Sequence, residues 1–151
     1  MDKKKFSKNS NGVSNTYMTD NNCILCKIVS GKLPTSSVYE DDLVLAILDI
    51  NPVHKGHTLI IPKEHHPSYE ETPDKIITHL FSKGKDIMGA IKKAVGADFV
   101  VLSIVGIDIP HFHIHLMPRF KGDGLHGWPT VKYDSDKEKE EVAQKIRKEL
   151  M

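Results

Sequence analysis

The sequence predicts an α+β domain on an antiparallel sheet, and three observations lead there. Three short β-type segments follow one another closely between residues 37 and 62. One long run of helical periodicity follows, over about residues 72–96. Two more strand texts come after it, so the chain has five strands, one central helix and none of the strand–helix alternation that builds a parallel sheet. A length of 151 residues gives room for one such core.

Residues 1–20 are rich in Lys, Asn and Ser and offer almost nothing to bury, so a disordered tail is expected there, ahead of a domain over 21–122. Residues 23–31 (CILCKIVSG) place Ile24, Leu25, Ile28 and Val29 at helical spacing and end in Gly, predicting a short N-terminal helix with a left-handed cap. Strands are expected in SVYED, LVLAILDI and HTLIIP, with Asp41-Asp42 as the first turn and Asn51-Pro52 opening the second connection. Thr72-Pro73-Asp74 reads as a helix start with Thr72 as cap. Ile76, Ile77, Leu80, Phe81, Ile87, Met88, Ile91 and Val95 then mark one face of a helix that Gly96 closes; Gly84 inside it has no local rationale. DFVVLSIVG and HFHIHLM complete the strands, the second ended by Pro118. Residues 123–151 are expected to form a Gly-rich loop and a charged C-terminal helix, capped by Ser135 and packed on the domain.

With 21 Lys+Arg against 20 Asp+Glu, the net charge of +1 gives no field that argues for nucleic acid or a membrane surface, so neither is expected as a partner. No apolar run approaches the roughly 18 residues that span a bilayer, and the first twenty lack the apolar stretch of a secretion signal, so a cytoplasmic protein is expected. Any ligand must come from a local site.

That site is signalled by HFHIHLM. Alternation puts His111, His113 and His115 on one face of a strand and Phe112, Ile114 and Leu116 on the other. Three aligned imidazoles suit a transition metal or a phosphate, and the row could divide between both tasks. Cys23 and Cys26, the only cysteines, supply half of a tetrahedral zinc site that His65 or His66 with His111 would complete. Two inert buried thiols or a redox pair are the alternatives, although the redox motif belongs to a βαβ setting absent here.

With these residues the chain resembles the histidine triad (HIT) family, nucleotide hydrolases and transferases with the signature His-φ-His-φ-His-φ-φ. The similarity extends over about residues 22–122 and includes Gly56-His57 before a strand, Pro62-Lys63-x-His65, the Cys pair and Pro118-Arg119 after the triad. It is strongest to the small zinc-containing bacterial-type members. The resemblance implies the HIT fold and a homodimer, each subunit giving five strands to a continuous sheet and holding one purine nucleotide (AMP-like) site. It implies His113 as the nucleophile at an α-phosphorus, forming a nucleotidyl-histidine that water resolves, with His115 and His57 serving the phosphate oxygens or orienting the ring. Asp49 would accept the ribose hydroxyls, Leu25, Ile28 and Ile50 would line the base pocket, and Cys23, Cys26, His65 and His111 would hold structural zinc. His54, His66, His79 and His126 match no motif position and are expected at the surface, although His126 and Trp128 could lie over the site. Arg119 is expected to make a structural salt bridge.

One departure stands beside the triad. Residues 103–110 read SIVGIDIP, so Ile107 and Asp108 occupy positions where many family members carry Gln and a hydroxyl that donate to phosphate; Asp108 would adjoin the substrate there. The leading expectation is a hydrolase cleaving a phosphoramidate, acyl-nucleotide or dinucleoside polyphosphate. The alternatives are a zinc-stabilised nucleotide-binding regulatory dimer with little turnover, and a redox or metal-handling protein.

Overall fold

A computed structural model describes residues 7–8, 14–15, 19–124 and 130–151. The elements in chain order are β1 (Ser7–Lys8), β2 (Ser14–Asn15), α1 (Ile24–Val29), β3 (Ser37–Glu40), β4 (Val44–Leu48), β5 (Thr58–Pro62), α2 (Asp74–Val95), β6 (Phe99–Ser103), β7 (Ile114–Arg119) and α3 (Asp136–Leu150). The expected tail over 1–20 falls largely outside the described residues; within it β1 and β2 pair as a two-residue antiparallel ladder.

Strands β3 to β7 form one antiparallel sheet in the order β3-β4-β5-β7-β6. Every residue of β4 is buried because both faces of the sheet are covered. Val44, Ala46 and Leu48 point with Ile60, Ile114 and Leu116 into a core beneath α2 and α3. Leu45 and Ile47 point the other way with Leu59 and Ile61, into a smaller core that Leu25 and Cys26 of α1 close. Each fully buried Leu or Ile contributes about 1.5–3 kcal/mol through removal from water.

Helix α2 buries Ile76, Leu80, Ile87 and Ile91 on the stripe that the sequence pattern marks. Its N-cap is Pro73 rather than Thr72, whose hydroxyl instead donates to the Ser68 carbonyl at 2.7 Å; the preceding turn outcompetes the helix for that group. Gly96 closes the helix at φ +67°. Gly84 now has a reason: a Cβ there would lie 3.4 Å from Ile114 Cδ1 and 3.7 Å from Ile60 Cδ1, so glycine stands where α2 packs directly on the sheet. Pro118 does not end the last strand. It pairs with Val100 inside β7, beyond the final β5 partner of that strand, Leu116, so no rung to β5 needs its missing N–H.

Helix α3 begins at Ser135, whose side chain accepts from the Glu138 N–H, and it buries Val142, Ala143 and Ile146 in the core shared with α2. The β3–β4 turn is held by Asp41, which accepts from the Leu43 and Val44 N–H groups, from the Tyr39 hydroxyl and from His79 of α2 at 2.7 Å. His79 is therefore a tie between helix and turn and not a bystander at the surface. Among the described residues no helix is long and apolar enough to cross a membrane.

Candidate active site and metal centre

The alternation of HFHIHLM places its odd members on the α1 side of the sheet. Phe112, Ile114 and Leu116 belong to the core under α2, whereas His111, His113 and His115 are buried on the opposite face. Regular pairing begins only at Ile114, so His111 and His113 stand on the segment leading into β7 and His115 sits in the ladder opposite Leu59 and Ser103. The row splits into two sites.

The upper site gathers Cys23, Cys26, His65 and His111, whose donor atoms lie within 4.8 Å of one another. His111 donates from Nε2 to the Pro62 carbonyl at 2.9 Å, which leaves its Nδ1 lone pair facing Cys23 Sγ at 3.4 Å and Cys26 Sγ at 3.5 Å. His65 Nδ1 lies 3.3 Å from Cys26 Sγ and 3.2 Å from His111 Nδ1. A tetrahedral cation with bonds of about 2.3 Å to sulfur and 2.0–2.1 Å to nitrogen spaces its ligands at roughly 3.3–3.8 Å. The donor chemistry and the spacing both fit zinc, and the Pro62 carbonyl supplies the outer hydrogen bond that fixes the ligating nitrogen. Without a cation, burial pushes the Cys26 thiol up to about 12. His66 is outside the set and is buried, not at the surface as expected; its Nε2 has no hydrogen-bond partner among the described residues, and the Glu64 carboxylate lies 3.8 Å away.

The lower site holds His113, His115, His57 and Asp49. The Val53 N–H donates to His57 Nδ1 at 3.1 Å, which puts the proton of His57 on Nε2; that N–H points to His115 Nδ1 at 2.9 Å, which in turn puts the proton of His115 on Nε2. The His113 and His115 rings lie 4.9 Å apart. His113 donates from Nδ1 to the His111 carbonyl at 2.7 Å, so its lone pair is on Nε2. Burial is the main cause that pushes His57, His111 and His115 down to about 4, so all three are neutral near pH 7. For His57 the Asp49 carboxylate opposes that shift.

Asp49 follows β4 and His57 precedes β5. The Asp49 N–H donates to the His57 carbonyl at 2.9 Å, and its Oδ2 lies 3.7 Å from His57 Nε2. Its Oδ1 accepts from the Asn51 N–H. Asp49, His57 and His115 also converge within 4.8 Å, but an N–H already joins the two rings there, and a cation needs lone pairs.

The remaining sequence candidates are placed less centrally. Leu25 is buried in the smaller core with Ile28 packed against it, so both back the histidine face of the sheet. Ile50 is 69% exposed beside Asp49. Asp108 is exposed in the loop before the triad and makes no ion pair among the described residues, while neighbouring Ile107 is 83% exposed. His126 and Trp128 lie outside the described residues. Sequence reasoning missed His54, which pairs with Asp123 at 3.2 Å, and Asp123 itself, which takes a two-pronged bond from buried Arg119. The spacing of Arg119 and Asp123 was the only local signal for that pair.

The HIT domain family model matches residues 30–122. The chain belongs to the HIT family. Similar HIT proteins include adenylylsulfatase HINT3 of Arabidopsis thaliana, 41% identical over 86% of this chain and 70% of that protein. Another is adenosine 5′-monophosphoramidase HNT1 of Saccharomyces cerevisiae, 33% identical over 85% of this chain and 80% of that one. Among solved structures, a Zn-bound histidine triad family protein from Mycobacterium smegmatis superposes with a TM-score of 0.76 at 33% identity, covering 85% of this chain and 92% of the other. The five-stranded antiparallel sheet with its long central helix and C-terminal helix is the HIT fold.

Proposed function

We propose that this HIT protein is a nucleotide hydrolase or nucleotidyl transferase that cleaves at the α-phosphate of a nucleoside monophosphate derivative. The observation that carries the reading is the His113 tautomer: with Nδ1–H spent on the His111 carbonyl, the Nε2 lone pair is the reactive one. In the first step a bond forms between His113 Nε2 and the α-phosphorus while the bond to an amine, acyl, sulfate or nucleotide leaving group breaks. Water then cleaves the phosphorus–nitrogen bond and releases the monophosphate. His115, with its proton on Nε2, donates toward phosphate or leaving-group oxygen, and His57 holds it in that tautomer. Asp49 offers two acceptors to a ribose diol, next to exposed Ile50 as one wall for a purine such as adenine. The names of the relatives from Arabidopsis and yeast support hydrolysis of such AMP derivatives.

Cys23, Cys26, His65 and His111 would hold zinc, which supplies a structural cross-link between α1, the segment after β5 and the approach to β7. The half-buried edge strand β6, with Phe99 38% exposed, supports a homodimer joined across that edge.

The test is AMP release from adenosine 5′-phosphoramidate by wild type and His113→Ala. Turnover in the wild type that the substitution abolishes, with AMP binding kept, is the expected result. A nucleotide-binding dimer without turnover is favoured by one observation, the absence of side-chain amide or hydroxyl donors over residues 104–110; it predicts AMP binding and no release in either protein.

A further inference from the structure

The turn that carries His57 is held from outside at four of its residues. The Pro52 carbonyl accepts from the Val131 N–H at 2.7 Å, His54 Nε2 meets Asp123 Oδ2 at 3.2 Å, Lys55 pairs with Glu138 and Asp134, and the Gly56 N–H donates to the Tyr133 hydroxyl at 3.0 Å. Every one of these holding residues lies beyond residue 122, where the match to the HIT domain ends. Attachment of α3 does not explain them, since Val142, Ala143 and Ile146 already seat that helix in the core. The Asp123 side chain is held by two hydrogen bonds from buried Arg119, which fixes where its carboxylate meets His54. Behind the turn, Gly56 at φ +100° leaves only 3.0 Å between a Cβ and Val95 Cγ1, so the backbone is packed against α2 as well.

We propose that residues 123, 131, 133 and 138 form a clamp that fixes the His57 ring, with Tyr133 and Asp123 as positioning residues for the reaction. The reason is the origin of the His57 tautomer. The Val53 N–H that selects it belongs to the clamped turn, and the N–H that His57 passes to His115 depends on the same backbone. Displacement of the turn by a fraction of an ångström loosens both bonds and lets the His57 and His115 protons redistribute. The kinetic part rests on the nucleotidyl-transfer reading above; the ring geometry does not.

The experiment compares full-length wild type, Tyr133→Phe and Asp123→Asn, with Lys137→Met on the exposed side of α3 as control. Imidazole 15N NMR reads the tautomers, and kcat and KM are measured with adenosine 5′-phosphoramidate well below the melting temperature. The expected result is a loss of about tenfold in kcat with KM within about twofold, and His57 and His115 ring signals that leave the single-tautomer positions, while Lys137→Met matches wild type. A lowered Tm with unchanged kcat and unchanged ring signals would overturn the clamp. If the wild type shows no turnover, the functional reading fails and the ring signals alone decide: unchanged signals in both variants overturn the clamp, shifted signals sustain it. Asp123→Asn acts on the opposite flank of the turn, so the test stands even where one variant does not fold.

Discussion

Asp49 is the residue whose chemistry is easiest to isolate. Its side chain is only 17% exposed and sits 3.7 Å from His57; one oxygen accepts from the Asn51 N–H and keeps a second lone pair, and the other faces the site. Asp49→Ala should weaken AMP binding by about 1–3 kcal/mol, the usual worth of hydrogen bonds to a charged group, and should erase any preference for AMP over 2′-deoxy-AMP. Calorimetric titration of both nucleotides checks this; unchanged affinity would remove Asp49 from the ribose. The metal set makes a second prediction. Cys23→Ser should lower bound zinc and Tm together, because its sulfur is one of four donors, whereas His66→Ala should leave metal content unchanged. Retained zinc in Cys23→Ser would overturn the assignment. The triad and the Cys pair stand out in the chain as short motifs, and the family resemblance adds His57, Asp49 and His65; the fold brings these residues together on one face of the sheet. The ties of His54 to Asp123 and of Gly56 to Tyr133 are not legible there, because they join residues 69 and 77 positions apart; only the Arg119–Asp123 pair is local.

Helix α2 was legible from its stripe alone, while its fine points needed the sheet. Thr72 carries a good cap residue's chemistry and spends it on Ser68, and Pro118 looks like a strand end but lies within β7. Local preference gives way in both places to partners that only the assembled fold provides. Gly84 gives a prediction about the contact of α2 with β7. An alanine methyl would meet Ile114 at 3.4 Å, an ordinary contact distance, so Gly84→Ala should stabilise the protein by about 0.5–1 kcal/mol through helix propensity. Gly84→Leu should destabilise it by about 1–3 kcal/mol, since its further atoms have no room over Ile60 and Ile114. Urea unfolding distinguishes the two; equal losses for Ala and Leu would mean the helix already touches the sheet at van der Waals distance.

The protein as a whole carries a pH dependence that follows from its buried rings. His57 and His115 titrate near 4 when folded and near 6.5 when exposed, so the unfolded chain takes up protons that the native state refuses. Their contribution to stability is complete above pH 6.5 and is lost as the pH falls toward 4, on the order of a few kcal/mol in all. Urea midpoints should therefore drop between pH 7 and 4.5, and drop less in a His57→Asn, His115→Asn double variant; parallel curves would contradict the sign. The donor cluster has a consequence in time as well as in space. Cys23 and His111 are 88 residues apart along the chain. At synthesis rates of about 5–20 residues per second, roughly 4–18 s pass between the making of the first thiol of the cluster and its last imidazole. Throughout that interval the nascent chain holds two thiols without the imidazoles that surround them in the fold, so whatever metal ion or oxidant the chain meets acts on Cys23 and Cys26 before the fold can bury them.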